Sequence, residues 1–271
     1  MKHLKAIKNA FIQQSYNQGS LNLVVLHGLL GSKTNFKNIV NNVNISKHLK
    51  SAYLLDIRNH GDSPQTQTMS YEEMANDLKH FIHDHKIQNV VLLGHSMGGR
   101  IIFSYLQNFT SDLPIGNIIV DVGPGEGEGK NYVQLLQQID LKNKILKEIE
   151  NSIFQIVQSK DKTNLIMTNL TYANKEEFHS DYKWKINIDV ISKFMNNGHS
   201  EFSSNYQGSA CVICGDKSDY VTINDKQEFL KVFPKIDINR DIHFIQGAGH
   251  WVQVEKPREF IKLMSQYLSS F

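Results

Sequence analysis

Residues 89–100 read Asn-Val-Val-Leu-Leu-Gly-His-Ser-Met-Gly-Gly-Arg, NVVLLGHSMGGR, and this stretch decides the fold. Val90–Leu93 are consecutive β-branched or aliphatic residues, the pattern of a strand covered on both faces. They run into Gly94-His95-Ser96-Met97-Gly98, and an amphipathic run, Ile101–Leu106, follows. Strand, tight turn and helix in that order place a serine on a turn with glycines on either side. Such a turn holds the serine in a strained backbone conformation, and only small neighbours leave room for it. The Ser96 hydroxyl is thereby expected to stand out at the top of a sheet.

On the N-terminal side, Leu21–Leu26 reads as a short buried strand ending at His27-Gly28-Leu29-Leu30-Gly31-Ser32. A helix is expected over Phe36–Leu49. A strand over Ala52–Leu55 ends at Asp56-Ile57-Arg58-Asn59-His60-Gly61-Asp62-Ser63-Pro64. Ser70-Tyr71-Glu72-Glu73 is a capping box, and the helix it opens carries Tyr71, Met74, Leu78, Phe81 and His85 at helical spacing. Met1–Gly19 holds Lys2, Lys5 and Lys8 between Leu4, Ile7 and Phe11. It lacks the arginines of an organelle-targeting segment and is expected to be an edge strand or hairpin. The compartment, mitochondrial or cytoplasmic, stays open.

On the C-terminal side, Asn117–Val120 is a strand ending at Asp121, and there the alternation stops. From about Val122 to Gln207 no comparable buried strand is expected. Gly123-Pro124-Gly125, with Gly127 and Gly129, make a flexible exit, and Tyr132–Ile139, Ile145–Val157 and Ile186–Phe194 read as helices. The expectation is a helical lid, 122–209, inserted into a core made of 1–121 and 210–271. Trp184, Phe178, Tyr182, Met195 and Phe194 in that lid suit an apolar acyl pocket or ordinary lid core. Alternation resumes with Ala210–Cys214, a helix near Asp225–Val232 and a strand over Ile242–Gln246. The turn Gly247-Ala248-Gly249-His250-Trp251 and a last helix with Pro257 in its first turn follow.

Repeated strand–helix units imply an α/β protein with a mostly parallel central sheet and helices on both faces. Ligands in such sheets bind beyond the carboxyl ends of the strands. His27, Asp56, Ser96, Asp121, Asp216, Asp219 and His250 each follow an expected strand, so they are expected to converge on one edge.

The chain of 271 residues, 40% apolar and 21% charged, has a net charge of only +2. That balance gives no nucleic-acid surface, although no acidic residue precedes Asp56. No apolar run reaches the length of a membrane helix. Cys211 and Cys214, three apart in CVIC, point to opposite faces if the segment is a strand, so two buried thiols are expected rather than a disulfide.

A serine hydroxyl needs a base within hydrogen-bond reach to act as a nucleophile. His250, in its glycine-flanked turn, is the best candidate base. His95 is expected to be structural, and His27 and His60 to orient backbone. His80, His83 and His85 do not have metal-ligand spacing on a helix. Neither a metal nor a cofactor is called for. The histidine needs an acid, and two positions compete: Asp121, and the GDKSD turn with Asp216 and Asp219. Turn capping explains Asp216 and Asp219 well, and explains Asp121 less well. The backbone N–H groups of Met97 and Leu29 are the expected oxyanion donors.

LHGLLGSKTNF, DIRNHGDSP, MSYEEMANDL, GHSMGG, VDVGP, WKINID, GDKSDYV and GAGHWVQVEKP occur here in the order seen in small α/β-hydrolase-fold esterases of the YbfF type. The chain resembles that family over about Leu21 to Leu268, and resembles its eukaryotic, often mitochondrial, abhydrolase-domain branch most. The resemblance implies hydrolysis of a small-molecule carboxylic ester or thioester by a serine–histidine–aspartate triad. It also implies that the acid is the aspartate after the strand preceding the lid, here Asp121, since the usual position in the wider fold is occupied by Ser218. Yeast members of the branch resemble alcohol acyltransferases, so acyl transfer to an alcohol is an alternative. A catalytically silent binding or assembly subunit on the same scaffold is a third reading. Epoxide hydrolase and dehalogenase chemistry would need an aspartate where Ser96 stands.

Overall fold

The computed structural model describes residues 4–126, 132–174, 181–198 and 201–271. In chain order the elements before the insertion are β1 (Phe11–Ser15), β2 (Leu21–Leu26), α1 (Lys37–Val40), α2 (Val43–Ser46), β3 (Leu49–Leu55), α3 (Tyr71–Asp84), β4 (Val90–His95), α4 (Met97–Asn108) and β5 (Gly116–Val120). Then come α5 (Val133–Gln137), α6 (Leu146–Val157), α7 (Lys160–Met167), β6 (Leu170–Tyr172), β7 (Tyr182–Trp184) and α8 (Ile188–Asn196). The chain ends with β8 (Ser209–Gly215), a 3-10 helix (Ile223–Lys231), β9 (Ile242–Ile245), α9 (Val252–Glu255) and α10 (Pro257–Leu268).

Seven strands form one sheet in the order β1-β3-β2-β4-β5-β8-β9. All neighbours are parallel except β1, which pairs antiparallel with β3 at the edge. Every residue of β2, β4 and β5 is buried, which is why these strands read as mainly aliphatic runs. Alternate side chains feed two cores. One face packs Leu23, Val25, Leu54, Val91, Leu93 and Ile118 against residues of α1, α2 and α10. The other packs Val24, Leu26, Leu55, Leu92 and Ile119 against α3, α4 and the inserted helices. Cys211 and Cys214 fall on opposite faces, both buried and both free thiols. No helix among the described residues is long and apolar enough to cross a membrane.

Two expected helices differ. The helix expected over Phe36–Leu49 is two four-residue helices, α1 and α2, and β3 already begins at Leu49. Asn42 breaks the run: its side chain accepts the Asn44 N–H at 3.0 Å and so caps α2. Leu49 is drawn into the sheet by pairing with Leu21. The helix expected at Asp225–Val232 is 3-10 in form, with Phe229 as its buried residue and too narrow an apolar stripe to anchor an α-helix. The hairpin of β6 and β7 went unread, because three-residue strands carry no periodicity. Gly127, Gly129 and Phe178 lie outside the described residues.

Chain order reverses between β2 and β4: β3 lies on one side of β2, and β4 and β5 on the other. Their carboxyl-end loops flank the resulting switch point, where ligands bind in such sheets. The approach is very close. A Cβ on Gly98 would stand 2.3 Å from the Leu26 carbonyl oxygen, and one on Gly94 would stand 2.4 Å from Gly98 backbone. Gly98→Ala is therefore expected to cost about 1–3 kcal/mol through overpacking, read as a lower midpoint of urea unfolding. An unchanged midpoint would mean that the turn can shift without loss.

Candidate active site

The β4–α4 turn puts Ser96 at φ 52° and ψ −117°, a conformation that costs a residue with a side chain energy. Tertiary bonds hold it there: Ser96 N–H donates to Val120 O at 2.9 Å, and the Gly99 and Arg100 N–H groups donate to Ser96 O at 2.9 and 3.2 Å. Among the described residues, Met97 N–H at the start of α4 has no acceptor. Leu29 N–H, in the loop after β2, likewise has none. That loop adjoins Ser96: a Cβ on Gly28 would lie 2.8 Å from His95 Nδ1 and 3.3 Å from Ser96 Cβ. Several neighbouring groups of the loop are engaged. Gly31 N–H and His27 Nδ1–H donate to Gly28 O at 3.0 and 2.8 Å, and Leu30 N–H donates to His60 Nε2 at 3.2 Å.

Asp121 follows β5 with φ 51° and is fully buried. One carboxylate oxygen accepts the Gly215 N–H at 3.0 Å. The other accepts Ser218 Oγ–H at 2.5 Å and faces His250 Nδ1 at 2.7 Å. Ser218, at the place where the wider fold usually carries its acid, thus hydrogen-bonds Asp121 instead. Asp219 is exposed, and its carboxylate has no hydrogen bond among the described residues. Asp216 accepts Gly247 N–H at 2.7 Å and braces the histidine turn. Asp56 does not join this group. Its carboxylate is spent on Lys33 N–H at 2.7 Å, Lys33 Nζ at 2.5 Å and Asp62 N–H at 2.8 Å.

His250 is positioned by contacts that the sequence reading missed. Tyr220 stacks on its ring, 3.9 Å between centroids at 21°. Glu255 accepts the Gly249 and Trp251 N–H groups at 2.8 and 3.1 Å, clamping the turn on both sides of it. His95 Nε2 lies 2.9 Å from the His250 carbonyl, and the two rings sit 4.8 Å apart. The glutamate falls in VEKP directly after the turn, a signal that was available. The tyrosine stack had none.

Ser96, Met97, Leu29, Asp121 and His250 thus share the carboxyl edge of β2, β4 and β5, whereas Asp219 and Asp56 stand apart. Among the described residues no cluster of three His, Cys, Asp or Glu side chains is arranged to hold a metal ion. Phe194, considered above for an acyl pocket, is 6% exposed and packs edge-on against Tyr71 at 5.1 Å, and Tyr182 stacks on Tyr172 at 5.0 Å.

Residues 22–140 match the family model described as alpha/beta hydrolase fold. The sn-1-specific diacylglycerol lipase ABHD11 of Danio rerio is 30% identical over 257 residues, which span 91% of this chain and 78% of that protein. The chain belongs to the α/β-hydrolase family. A solved marine microorganism esterase superposes with a TM-score of 0.85 at 30% identity, covering 97% of this chain and all of its own. Esterase YbfF of Escherichia coli is 27% identical over 267 residues, 96% of this chain and 98% of that protein.

Three buried histidines surround the switch point of this α/β hydrolase, and burial holds each neutral. Burial, reinforced by neighbouring histidines, pushes His60 and His95 down to about 3. Burial also lowers His27, whose Nε2 accepts Ile57 N–H at 3.1 Å. A folded value below the unfolded value of roughly 6.5 means that only the unfolded chain takes up these protons in the interval between. The contribution of His60 and His95 to stability is therefore whole above about pH 6.5 and falls as the pH drops toward 4, by up to about 1.4 kcal/mol per pH unit for each of the two. His60→Asn should remove one such contribution from the slope of urea-unfolding free energy against pH. An unchanged slope would mean that His60 is protonated before unfolding.

Proposed function

We propose that this chain is a serine hydrolase that cleaves carboxylic ester or thioester bonds of small acyl substrates through an acyl-enzyme. The observation that carries the reading is the His250–Asp121 pair at 2.7 Å, on the sheet edge where the β4–α4 turn presents Ser96. The naming of its relatives as esterases and lipases supports the same reaction class.

In this reading Ser96 Oγ attacks the acyl carbon while His250 Nε2 takes the hydroxyl proton. Asp121 holds Nδ1–H, fixing the tautomer and stabilising the imidazolium. Met97 N–H and Leu29 N–H, neither of which has an acceptor among the described residues, receive the oxyanion. The tetrahedral adduct collapses, the alcohol or thiol leaves with the proton from His250, and the acyl group stays on Ser96. Water, deprotonated by His250, then repeats the sequence and frees the carboxylic acid. Residues 122–209 serve as the lid over this edge, on the core of 1–121 and 210–271.

A fluorophosphonate probe should label the wild-type protein and fail to label Ser96→Ala. Absence of wild-type labelling would sink the reading. Asp121→Asn should lower ester turnover by about 10⁴-fold, since the wrong tautomer then faces the serine. Asp219→Asn should stay within a factor of about two. If the Asp219 variant were the inactive one, the acid would be misassigned. Ethanol added to the assay should leave free acid as the main product, and a new ethyl ester in its place would favour acyl transfer.

A further inference from the structure

Two stretches that the triad leaves unused, 56–64 and 184–189, face each other across the seam between the core and the insertion. Asn187 N–H donates to Asn59 O at 3.0 Å, and Asn187 Nδ2 donates to Thr66 O at 3.0 Å. Gln65 Nε2 reaches Lys185 O at 3.0 Å, and Lys185 Nζ pairs with Asp62 at 2.8 Å. The insertion is therefore seated by directed polar contacts on the loop after β3, and not on apolar packing alone.

A further contact across the seam ends on the loop that carries Leu29. Asn169, 3% exposed, lies between α7 and β6. Its backbone is fixed within the insertion: Asn169 N–H donates to Ile166 O at 2.9 Å, and Lys185 N–H donates to Asn169 O at 2.7 Å. Its side chain crosses the seam, and Asn169 Nδ2 donates to Leu30 O at 2.8 Å. Leu30 is a buried leucine at φ +59°, a left-handed conformation that costs a branched side chain about 1–3 kcal/mol and persists only when its surroundings over-determine it. Two side chains do so. His60, from the core, takes its N–H, and Asn169, from the insertion, takes its C=O.

We propose that Asn169 is a positioning residue that couples the seating of the insertion to the geometry of the oxyanion turn. With the amide on Leu30 O, the Gly28–Gly31 turn is locked and Leu29 N–H points toward the serine. Without it, Leu30 relaxes out of the left-handed region and carries the neighbouring Leu29 peptide with it. The proposal rests on the reading of Leu29 N–H as an oxyanion donor. A misplacement of about 1 Å in such a donor is enough for a loss near 10²-fold.

Asn169→Asp tests it, because the carboxylate keeps the shape and loses the donor. On a soluble short-chain ester at neutral pH, kcat should fall about 10- to 100-fold while KM stays within a factor of about two. Affinity for an aryl trifluoromethyl ketone, whose hemiketal oxygen occupies the oxyanion position, should fall in parallel. As the pH is lowered, the buried carboxyl takes up a proton and again donates to Leu30 O. The ratio of N169D to wild-type kcat should therefore climb toward one. Asn169→Ala should show the same loss with a ratio independent of pH, and it carries the kcat and inhibitor comparison should N169D not fold. Wild-type kcat in both variants, a loss confined to KM, or an N169D ratio as flat as that of N169A would overturn the coupling. Wild-type protein labelled by a fluorophosphonate alongside any of those results overturns the coupling alone. An unlabelled wild type overturns the hydrolase reading, and the coupling with it.

Discussion

The first turn of α4 lies against the carboxyl end of β2 more closely than a side chain on Gly98 would allow, and the site follows from that approach. With no side chain on Gly98, the α4 backbone can lie where a Cβ would come within 2.3 Å of Leu26 O. That proximity brings the loop after β2 beside Ser96, tightens the strand–helix turn and leaves Met97 N–H at an uncapped helix start. The strained backbone of Ser96 is held by its bond to Val120 O at 2.9 Å, so β5 also fixes the serine. Since Asp121 directly follows that strand, one piece of sheet sets the height of both the serine and the aspartate.

Around His250 the arrangement is equally over-determined. Its Nδ1 faces Asp121, its ring lies under Tyr220 and its carbonyl is held by His95. His95 does this while kept neutral by burial. A neutral ring beside His250 adds no positive charge to oppose the imidazolium that forms when the serine gives up its proton. The buried histidines and the proposed base thus differ in solvation and not in proximity: His27, His60 and His95 are almost fully buried, whereas the His250 side chain keeps 15% exposure.

How much of this the sequence carries depends on the range of the interaction. The sheet strands were readable because β2, β4 and β5 are buried on both faces and so are mainly aliphatic. The serine turn was readable because its glycines answer a local steric demand. The choice between Asp121 and Asp219 was not local: Asp121 lies 2.7 Å from His250 across 129 positions, and no turn pattern records that. The helix expected over Phe36–Leu49 failed at Asn41-Asn42, where a side-chain cap outweighed the apolar spacing on either side. Asn169 carried no signal at all. Its partner, Leu30 O, is a backbone atom whose need for a donor arises only once the loop is folded.

The central claim is that Ser96 carries the acyl group between two half-reactions. The most direct test is to quench the protein at mildly acidic pH during turnover of an activated ester, where water attack is slowed, and to measure its intact mass and then its tryptic peptides. The account predicts one added acyl mass, confined to the peptide Ile87–Arg100 and absent in Ser96→Ala. Turnover with no acyl mass on the protein, or an adduct that persists in Ser96→Ala, would contradict it.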